Sequence, residues 1–441
     1  MRKLFGTDGV RGVAGVDLTP DLGRSLGAAA VVAAGGASVV IGRDTRESGP
    51  ELEQALVEGI ESAGGEAVLA GVIPTPGVAM LTAAGEGTMG CVISASHNPY
   101  ADNGIKFLGR DGRKLSDAAE ASIERAINGP LPDTPGSRRA LRDPVGRYVE
   151  WLAETFGGEL PSGITVGLDC ANGAAHAAGP ALMRRVGMPF HAIGDAPDGR
   201  NINAGCGSMH LEAVAGLVRD HGLDLGIAFD GDADRCLAVD AAGRVANGDV
   251  ILAVLAIDLA RRGLLRGNQV VVTTMTNLGF QKLMREQGIE VEVTDVGDRY
   301  VLERMLETGA SLGGEQSGHV VMLDRHTTGD GLATALALLG ALNRLDLTLA
   351  DAVDLVVPFP QRLVAVPADR ALLPSADRIW QEVDAVTANL GERGRVVLRA
   401  SGTEPVVRVM VEAQDAGECE RICNDLARLV REQIGTPQAT E

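Results

Sequence analysis

Short apolar runs that end abruptly in glycine-rich polar loops recur along the chain, and they restrict its fold more than any other feature. Helical patterns lie between them, as at residues 50–63 and 250–262. Short β-branched strands that alternate with helices predict an α/β protein with parallel or mixed sheets. The junctions between strand and loop fall at residues 37–46, 89–99, 164–174, 225–235 and 269–279.

Three of these junctions look like distant copies of one another: VVIGRDTR at 39–46, ITVGLDCANG at 164–173 and VVVTTMTN at 270–277. They suggest a threefold repeat of one α/β domain. The segment after residue 360 differs, because it reads as a strand, a helix at 375–390, two strands and a helix at 416–434. This order predicts a smaller α+β domain.

Domain boundaries follow from changes in composition. Residues 129–146 are rich in Pro, Gly and Arg and predict a loop or linker. Two further breaks fall near 247–248 and at the PFP of 358–360. We therefore expect domains at 1–150, 151–247, 248–360 and 361–441.

The charge of the chain excludes several classes of partner. Its 59 acidic and 40 basic side chains give a formal net charge of −19. We expect neither a nucleic acid nor a membrane surface as partner, because both need a basic patch. Aromatic residues make up only 3%, which disfavours recognition by ring stacking.

Several features predict a cytoplasmic protein. The longest strongly apolar run, 250–257, is much shorter than the about 20 residues of a membrane span. The start MRKLFGTDGVRG lacks the apolar core of a signal peptide. The six cysteines contain no CxxC pair and are typical of a reducing compartment.

An acidic loop at residues 230–235, DGDADR, is the sharpest local motif. Asp230, Asp232 and Asp234 follow an apolar strand at alternate positions, and hard divalent cations prefer such oxygen ligands. An EF-hand is excluded, because Arg235 and Ala241 stand where that loop needs Gly and Glu. The loop therefore predicts a metal site, and the plain alternative is a solvated acidic turn.

A serine loop at residues 94–99, SASHNP, also follows an apolar strand. Ser94, Ser96 and His97 make it an exposed, nucleophile-like loop, and Lys106 lies ten residues after Ser96. It is not a G-x-S-x-G elbow, because Ala95 disrupts the required spacing of glycines. The alternative interpretation is a serine-rich capping turn.

Two further loops carry groups that suit a sugar phosphate. The segment GEQSGH at 314–319 offers the carboxylate of Glu315, the hydroxyl of Ser317 and the imidazole of His319. The segment RASGTEP at 399–405 is a basic island that would suit a phosphate. Each loop alone is also compatible with ordinary turn chemistry.

Taken together, the four loops resemble the α-D-phosphohexomutase superfamily. The resemblance extends over residues 5–413 and includes the opening FGTDGVRG at 5–12. It implies three similar α/β domains with mixed sheets and a smaller α+β C-terminal domain around a central cleft. The opening and the GEQSGH form of the third loop most resemble the branch that acts on glucosamine phosphates.

The resemblance also implies a role for each loop. Ser96 would be the phosphoserine, and a phosphoserine oxygen would share Mg²⁺ with Asp230, Asp232 and Asp234. Lys106 and Arg235 would assist phosphoryl transfer, and either Lys106 or His319 would move the proton. Substrate contacts would come from Glu315, Ser317, Arg399, Ser401, Gly402, Thr403 and Arg408. Arg11 and Arg43, which lie on glycine-rich loops of their own, are expected to converge on the same site.

The implied reaction interconverts glucosamine 6-phosphate and glucosamine 1-phosphate. Phospho-Ser96 would form a glucosamine or glucose 1,6-bisphosphate, which also serves as activator, and would then recover a phosphoryl group from it. A protein kinase or autophosphorylation would first load Ser96, and a homodimer is compatible with the resemblance. The alternatives are a phosphomannomutase/phosphoglucomutase of the same fold and a non-catalytic sensor of phosphosugars.

Overall fold

The computed structural model describes residues 4–6, 8–127, 129–131, 133–401 and 405–436. The chain forms two compact units. The first consists of Met1–Thr273 with Gln287–Leu355, and the second of Thr274–Glu286 with Val356–Glu441. Within the described residues, the first unit contains three mixed sheets and the second contains one antiparallel sheet.

The first sheet has six strands. They are β1 (Val10–Val13), β2 (Ser38–Arg43), β3 (Glu66–Val72), β4 (Met89–Ile93), β5 (Asp102–Leu108) and β6 (Ser137–Ala140). Their order across the sheet is β1-β5-β4-β2-β3-β6. β2 is parallel to β3 and β4, whereas β5 is antiparallel to β1 and β4.

The second sheet, of order β11-β10-β9-β7-β8, and the third, of order β13-β12-β14-β15, are also mixed. The strands of the second are β7 (Val166–Asp169), β8 (Phe190–Ile193), β9 (Leu225–Phe229), β10 (Cys236–Asp240) and β11 (Val245–Ala246). Those of the third are β12 (Gln269–Thr273), β13 (Glu290–Thr294), β14 (Leu312–Gly314) and β15 (Val320–Met322).

One four-strand pattern occurs in all three of these sheets. Three neighbouring parallel strands, β3-β2-β4, β8-β7-β9 and β13-β12-β14, are each followed by an antiparallel strand, β5, β10 or β15. The three similar sequences occupy β2, β7 and β12 and the residues that follow them. The prediction of three similar α/β domains is therefore confirmed, whereas their boundaries at 150, 247 and 360 stay a prediction.

Fourteen α-helices accompany these sheets in the described residues. They are α1 (Pro20–Ala33), α2 (Gly49–Ser62), α3 (Thr75–Ala83), α4 (Asp117–Ala126), α5 (Pro144–Phe156), α6 (Ala175–Arg185), α7 (Glu212–His221), α8 (Gly248–Arg261), α9 (Leu278–Glu286), α10 (Asp298–Thr308), α11 (Gly331–Leu345), α12 (Leu349–Leu355), α13 (Asp377–Leu390) and α14 (Ala416–Ile434). Local chemistry sets several starts. Thr19 caps α1, whose first residue is Pro20, and Asn247 caps α8.

The second unit is the expected α+β domain. Its strands β16 (Gln361–Pro367), β17 (Gly394–Ala400) and β18 (Val406–Ala413) have the order β16-β18-β17 and are all antiparallel. Helix α14 buries Cys419, Ile422, Cys423, Leu426 and Val430, which recur at helical spacing and form one apolar face. Both cysteines are therefore core residues of this domain.

The structure agrees with several predicted elements and corrects one predicted linker. Helix α14 has the predicted bounds, and β4 and β9 form the apolar first parts of the predicted junctions at 89–99 and 225–235. The predicted linker at 129–146 is wrong in part, since Ser137–Ala140 forms β6, which pairs in parallel with β3. Backbone hydrogen bonds make this strand although its four residues are exposed and three of them are polar.

Among the described residues, no single helix combines the length and the apolar composition needed to cross a membrane. Helices α11 and α12 pass that test only as a pair, which is bent by 87°.

Candidate active site

Three of the polar loops occupy the same position in the three copies of the repeat. Each follows the last parallel strand and leads into the antiparallel strand. The serine loop (94–99) joins β4 to β5, and the acidic loop (230–235) joins β9 to β10. The glutamate loop (315–319) joins β14 to β15. All three belong to the first unit.

Ser96 is the residue of the serine loop that meets the acidic loop. Its Oγ donates a hydrogen bond to Asp230 Oδ2 at 2.5 Å and lies 3.3 Å from His97 Nδ1. Its backbone φ is 51°, a left-handed conformation that costs a residue with a Cβ about 1 kcal/mol. Ser94 has a different partner, because its hydroxyl donates to Asp44 Oδ2 at 2.6 Å.

The acidic loop forms a cluster of oxygen ligands. One carboxylate oxygen from each of Asp230, Asp232 and Asp234 lies within 4.8 Å of the others. Asp232 Oδ1 and Asp234 Oδ1 are buried and have no hydrogen-bond partner among the described residues. Because a buried oxygen without a partner is costly, these atoms fit a hard divalent cation such as Mg²⁺.

Two donors hold the other oxygen of Asp232. Lys106 Nζ, on β5, donates to Asp232 Oδ2 at 2.9 Å, and Thr75 Oγ1 donates to the same atom at 2.6 Å. The Thr75 backbone N–H also donates to Asp232 O at 3.0 Å. Both side-chain donors take Oδ2, so Oδ1 is left for another ligand.

The electrostatics of the cluster reflect an excess of buried negative charge. Burial and the charges of Asp234 and Asp232 raise the pKa of Asp230 well above its usual value. Burial lowers the pKa of Lys106, but the nearby Asp232 and Asp8 outweigh it and raise that pKa. Lys106 is therefore a permanent cation that compensates part of the cluster's charge.

The acidic loop and the glutamate loop are joined through Arg235 and His319, which form an antiparallel bridge. His319 Nδ1 lies 3.6 Å from Asp234 Oδ2. Burial lowers the pKa of His319, but this contact with Asp234 outweighs burial and raises the pKa to about 9. Burial raises the pKa of Asp234, and His319 reverses that shift and lowers it.

Glu315 is anchored to a neighbouring loop, and Ser317 has a buried hydroxyl. Glu315 Oε1 accepts a hydrogen bond from Gly297 N at 3.1 Å. Ser317 Oγ is buried without a hydrogen-bond partner among the described residues. Gly297 adopts φ 141°, a region that favours glycine, so the anchor of Glu315 depends on this residue.

These loops line a cleft of about 620 Å³, a size that suits a small molecule. Its walls include Ser96, His97, Asp234, Arg235, Glu315 and His319, together with Asp8, Arg11, Asp117, Asp298 and Arg299. Arg11 pairs with Asp8. Lys114 Nζ contacts Asp8 Oδ1 at 2.6 Å and Asp298 Oδ2 at 3.1 Å, and so connects two walls.

Other expected substrate residues lie elsewhere. Arg43 pairs with Glu53 at 3.2 Å and is absent from the described lining of this cleft.

In the second unit, Arg399 on β17 pairs in register with Arg408 on β18. Burial and the charge of Arg408 lower the pKa of Arg399. Ser401 N donates to Val406 O at 2.9 Å. Gly402 and Thr403 lie outside the described residues.

Several residues of the site have no distinctive local motif in the sequence. Thr75 is a single polar residue between prolines in the segment IPTPGV. Asp8 and Lys114 are charged residues with partners far away in the chain. The sequence around Asp298 does indicate a polar loop, because TDVGDRYV follows the strand-like EVEVT. The side chain of Asp298 lines the cleft.

Family models match the chain in four consecutive segments. They describe phosphoglucomutase/phosphomannomutase: α/β/α domain I at residues 2–131, domain II at 147–243, domain III at 247–359 and the C-terminal domain at 363–429. The phosphoglucosamine mutase of Thermobifida fusca is 48% identical over 446 residues. The match covers 98% of this chain and 99% of that relative.

Solved structures agree. A phosphoglucomutase/phosphomannomutase family protein from Burkholderia thailandensis has a TM-score of 0.84 at 27% identity, with 98% of each chain covered. An N-acetylphosphoglucosamine mutase from Aspergillus fumigatus, in complex with GlcNAc-6P and magnesium, has a TM-score of 0.70. At 19% identity, with 98% of this chain and 96% of that chain covered, it shows a shared fold. The loops, the repeated sheets and these matches together show that the chain belongs to the phosphoglucosamine mutase family.

Proposed function

We propose that this protein interconverts glucosamine 6-phosphate and glucosamine 1-phosphate through a phosphorylated Ser96. The observation that carries the proposal is the contact of 2.5 Å between Ser96 Oγ and Asp230 Oδ2. It brings the hydroxyl of Ser96 to a cluster of carboxylates in which Asp232 Oδ1 and Asp234 Oδ1 have no hydrogen-bond partner among the described residues. Phosphoryl transfer depends mainly on positioning and on compensation of charge, and this arrangement offers both.

Asp230, Asp232 and Asp234 would hold Mg²⁺ together with an oxygen of the phosphoserine. When bound, the cation supplies positive charge that stabilises the oxygens of the transferring phosphoryl group. Arg235 and Lys106 add positive charge beside the same loop. Local positive charge is thus present at the site although the net charge of the chain is −19.

In the forward reaction, the bond between phosphorus and Ser96 Oγ breaks and a bond to the free hydroxyl oxygen of the sugar forms. The hydroxyl proton leaves to a side chain of the cleft. We assign it to His319, which can accept the proton only in its neutral form; because burial is outweighed by Asp234, which raises the pKa of this imidazole to about 9, that form becomes more abundant as pH rises. Lys106 instead acts as a fixed charge, since its ammonium already donates to Asp232.

The product of this step is a sugar 1,6-bisphosphate. It reorients and returns its other phosphoryl group to Ser96, which restores the phosphoenzyme. Glu315 and Ser317 contact the sugar hydroxyls, and Arg11 contributes charge from the wall of the cleft. The phosphate that does not react is bound by Arg399, Ser401, Gly402, Thr403 and Arg408, and Arg43 stays a further candidate for substrate binding.

The test combines intact mass with a coupled assay for glucosamine 1-phosphate, with and without glucose 1,6-bisphosphate as activator. Wild-type protein should carry one phosphoryl group and turn over glucosamine phosphate faster than glucose or mannose phosphates. Ser96→Ala should lose both the phosphoryl group and turnover, whereas Ser94→Ala should still carry the group, although it loads more slowly because Ser94 Oγ holds Ser96 N. Near-normal turnover of Ser96→Ala would exclude this mechanism.

A further inference from the structure

Arg46 lies directly behind the serine loop and is fully buried, with 0% exposure. Its Nη2 donates to the backbone carbonyl oxygens of Ser96 and Asn98, both at 2.9 Å. Its Nη1 donates to the carbonyl oxygen of Pro99. One side chain therefore binds three carbonyl groups of a single loop.

Asn203, from the second repeat, binds the same carbonyl groups. Its Nδ2 lies 2.9 Å from Ser96 O and 3.2 Å from Asn98 O. Gly231 of the acidic loop closes the remaining space, because a Cβ at this residue would lie 2.4 Å from Ser96 O. The Ser96 carbonyl is thus restrained by Arg46 of the first repeat and by two residues of the second repeat, Asn203 and Gly231.

The buried charge of Arg46 is compensated by Asp44. Arg46 Nε donates to Asp44 Oδ2 at 2.8 Å, and Ser94 Oγ donates to the same oxygen at 2.6 Å. Ser94 Oγ in turn accepts a hydrogen bond from Ser96 N at 2.9 Å. Both peptide groups that flank the Ser96 side chain are therefore held, the N–H through Ser94 and the carbonyl through Arg46 and Asn203.

These contacts hold the backbone of Ser96 in an uncommon conformation, which packing of the loop alone would not require. Ser96 is held in a left-handed conformation with φ 51°, and a serine without these contacts would relax to a commoner conformation. Relaxation would rotate Oγ away from Asp230. A guanidinium suits the task, because its planar array of N–H donors reaches several acceptors at once.

We propose that Arg46 and Asn203 are positioning residues for phosphoryl transfer, which act through the Ser96 carbonyl to aim Oγ at the acidic loop. This inference rests on the proposed role of Ser96 as the phosphorylated residue. Neither residue lines the cleft, so their effect is on the alignment of the reacting oxygen and not on substrate binding. A displacement of about 1 Å at a reacting atom can slow a reaction about 100-fold.

The test measures a single turnover. Ser96 is loaded with labelled phosphate from glucose 1,6-bisphosphate and mixed with saturating glucosamine 6-phosphate, and transfer is followed by rapid quench. Arg46→Lys keeps the charge but loses the planar donors. Asn203→Gly removes the amide and tolerates the native φ of 58°. The matched control is Arg344→Lys, since Arg344 also grips a buried carboxylate, Asp258, away from the serine loop.

We expect both variants to load and transfer phosphate at least about 10-fold more slowly, with KM and the affinity for Mg²⁺ by calorimetry within about twofold of wild type. Arg344→Lys should transfer at the wild-type rate. If Arg46→Lys does not fold, Asn203→Gly decides alone. Wild-type transfer rates in a folded variant with lower melting temperature would overturn the inference. Absence of transfer from wild-type Ser96 would instead overturn the proposed function.

Discussion

Lys106 Nζ and Asp232 Oδ2 form an ion pair of 2.9 Å, in which the lysine side chain is 7% exposed and the aspartate side chain 1%. The two residues come from different sheets of the first unit, β5 and the loop after β9. The pair fixes one oxygen of Asp232 and brings a permanent positive charge to the acidic loop. The same contact therefore orients a candidate metal ligand and compensates part of the negative charge around it.

Replacement of Lys106 tests whether this charge is needed for the reaction. We expect Lys106→Met to lower kcat about 100-fold, the size of effect seen when one preorganised donor is removed from an active site. The exposed Lys282→Met serves as control. A Lys106→Met enzyme with normal kcat would show that the cation serves stability alone.

Asp232→Asn tests the acidic loop. An amide keeps the size of the side chain but removes its charge, so the affinity for Mg²⁺ should fall. We expect calorimetry to show weaker Mg²⁺ binding and added Mg²⁺ to restore activity only in part. Wild-type activity that survives treatment with EDTA would contradict a metal requirement.

Thr75 tests whether Asp232 must be oriented from outside the loop. Thr75→Val removes the hydroxyl that donates to Asp232 Oδ2 at 2.6 Å and keeps the shape of the side chain. Loss of this hydrogen bond should weaken Mg²⁺ binding by about 1–2 kcal/mol, roughly 5- to 30-fold in Kd. Thr75→Ser retains the donor and should bind Mg²⁺ normally; equal Kd values for the two variants would argue against this role.

His326 predicts a dependence of stability on pH. Burial lowers the pKa of His326 to about 4, below the value of about 6.5 for an unfolded chain. Between these values the unfolded chain binds a proton that the folded protein excludes, so this residue costs stability as pH falls from 6.5 towards 4.

The variant His326→Asn does not titrate in this range. Its neighbour Asp330, with Oδ2 3.5 Å from His326 Nε2, is present in both proteins. The difference in unfolding free energy, wild type minus variant, should therefore decrease by about 1.4 kcal/mol per pH unit below 6.5. Urea unfolding at pH 7 and pH 5 checks this, and parallel pH profiles would refute the buried neutral imidazole.

Contiguous motifs made much of the fold and of the site predictable. A strand and the polar loop after it are adjacent in sequence, so the serine, acidic and glutamate loops could each be identified locally. That they meet in one cleft depends on how three sheets pack, which no single segment encodes. The resemblance of the whole set of loops supplied that information.

Residues that act at a distance in sequence were not predictable. Arg43 and Arg46 belong to the same GRDTR segment, and the sequence gives no reason to prefer one. In the structure, Arg46 lies buried against the serine loop, whereas Arg43 forms an ion pair with Glu53. Thr75 and Asn203 have partners more than 100 positions away, so only the tertiary structure shows what they do.

The repeated sheets have a consequence for how this chemistry arose. If the three copies descend from one ancestral domain, the segment between its third and fourth strands became the serine loop in one copy, the acidic loop in the next and the glutamate loop in the last. The scaffold was retained while a single hairpin position diversified. Because the flanking strands are equivalent in all three copies, the sequence of each loop can change while the strands that carry it stay in place.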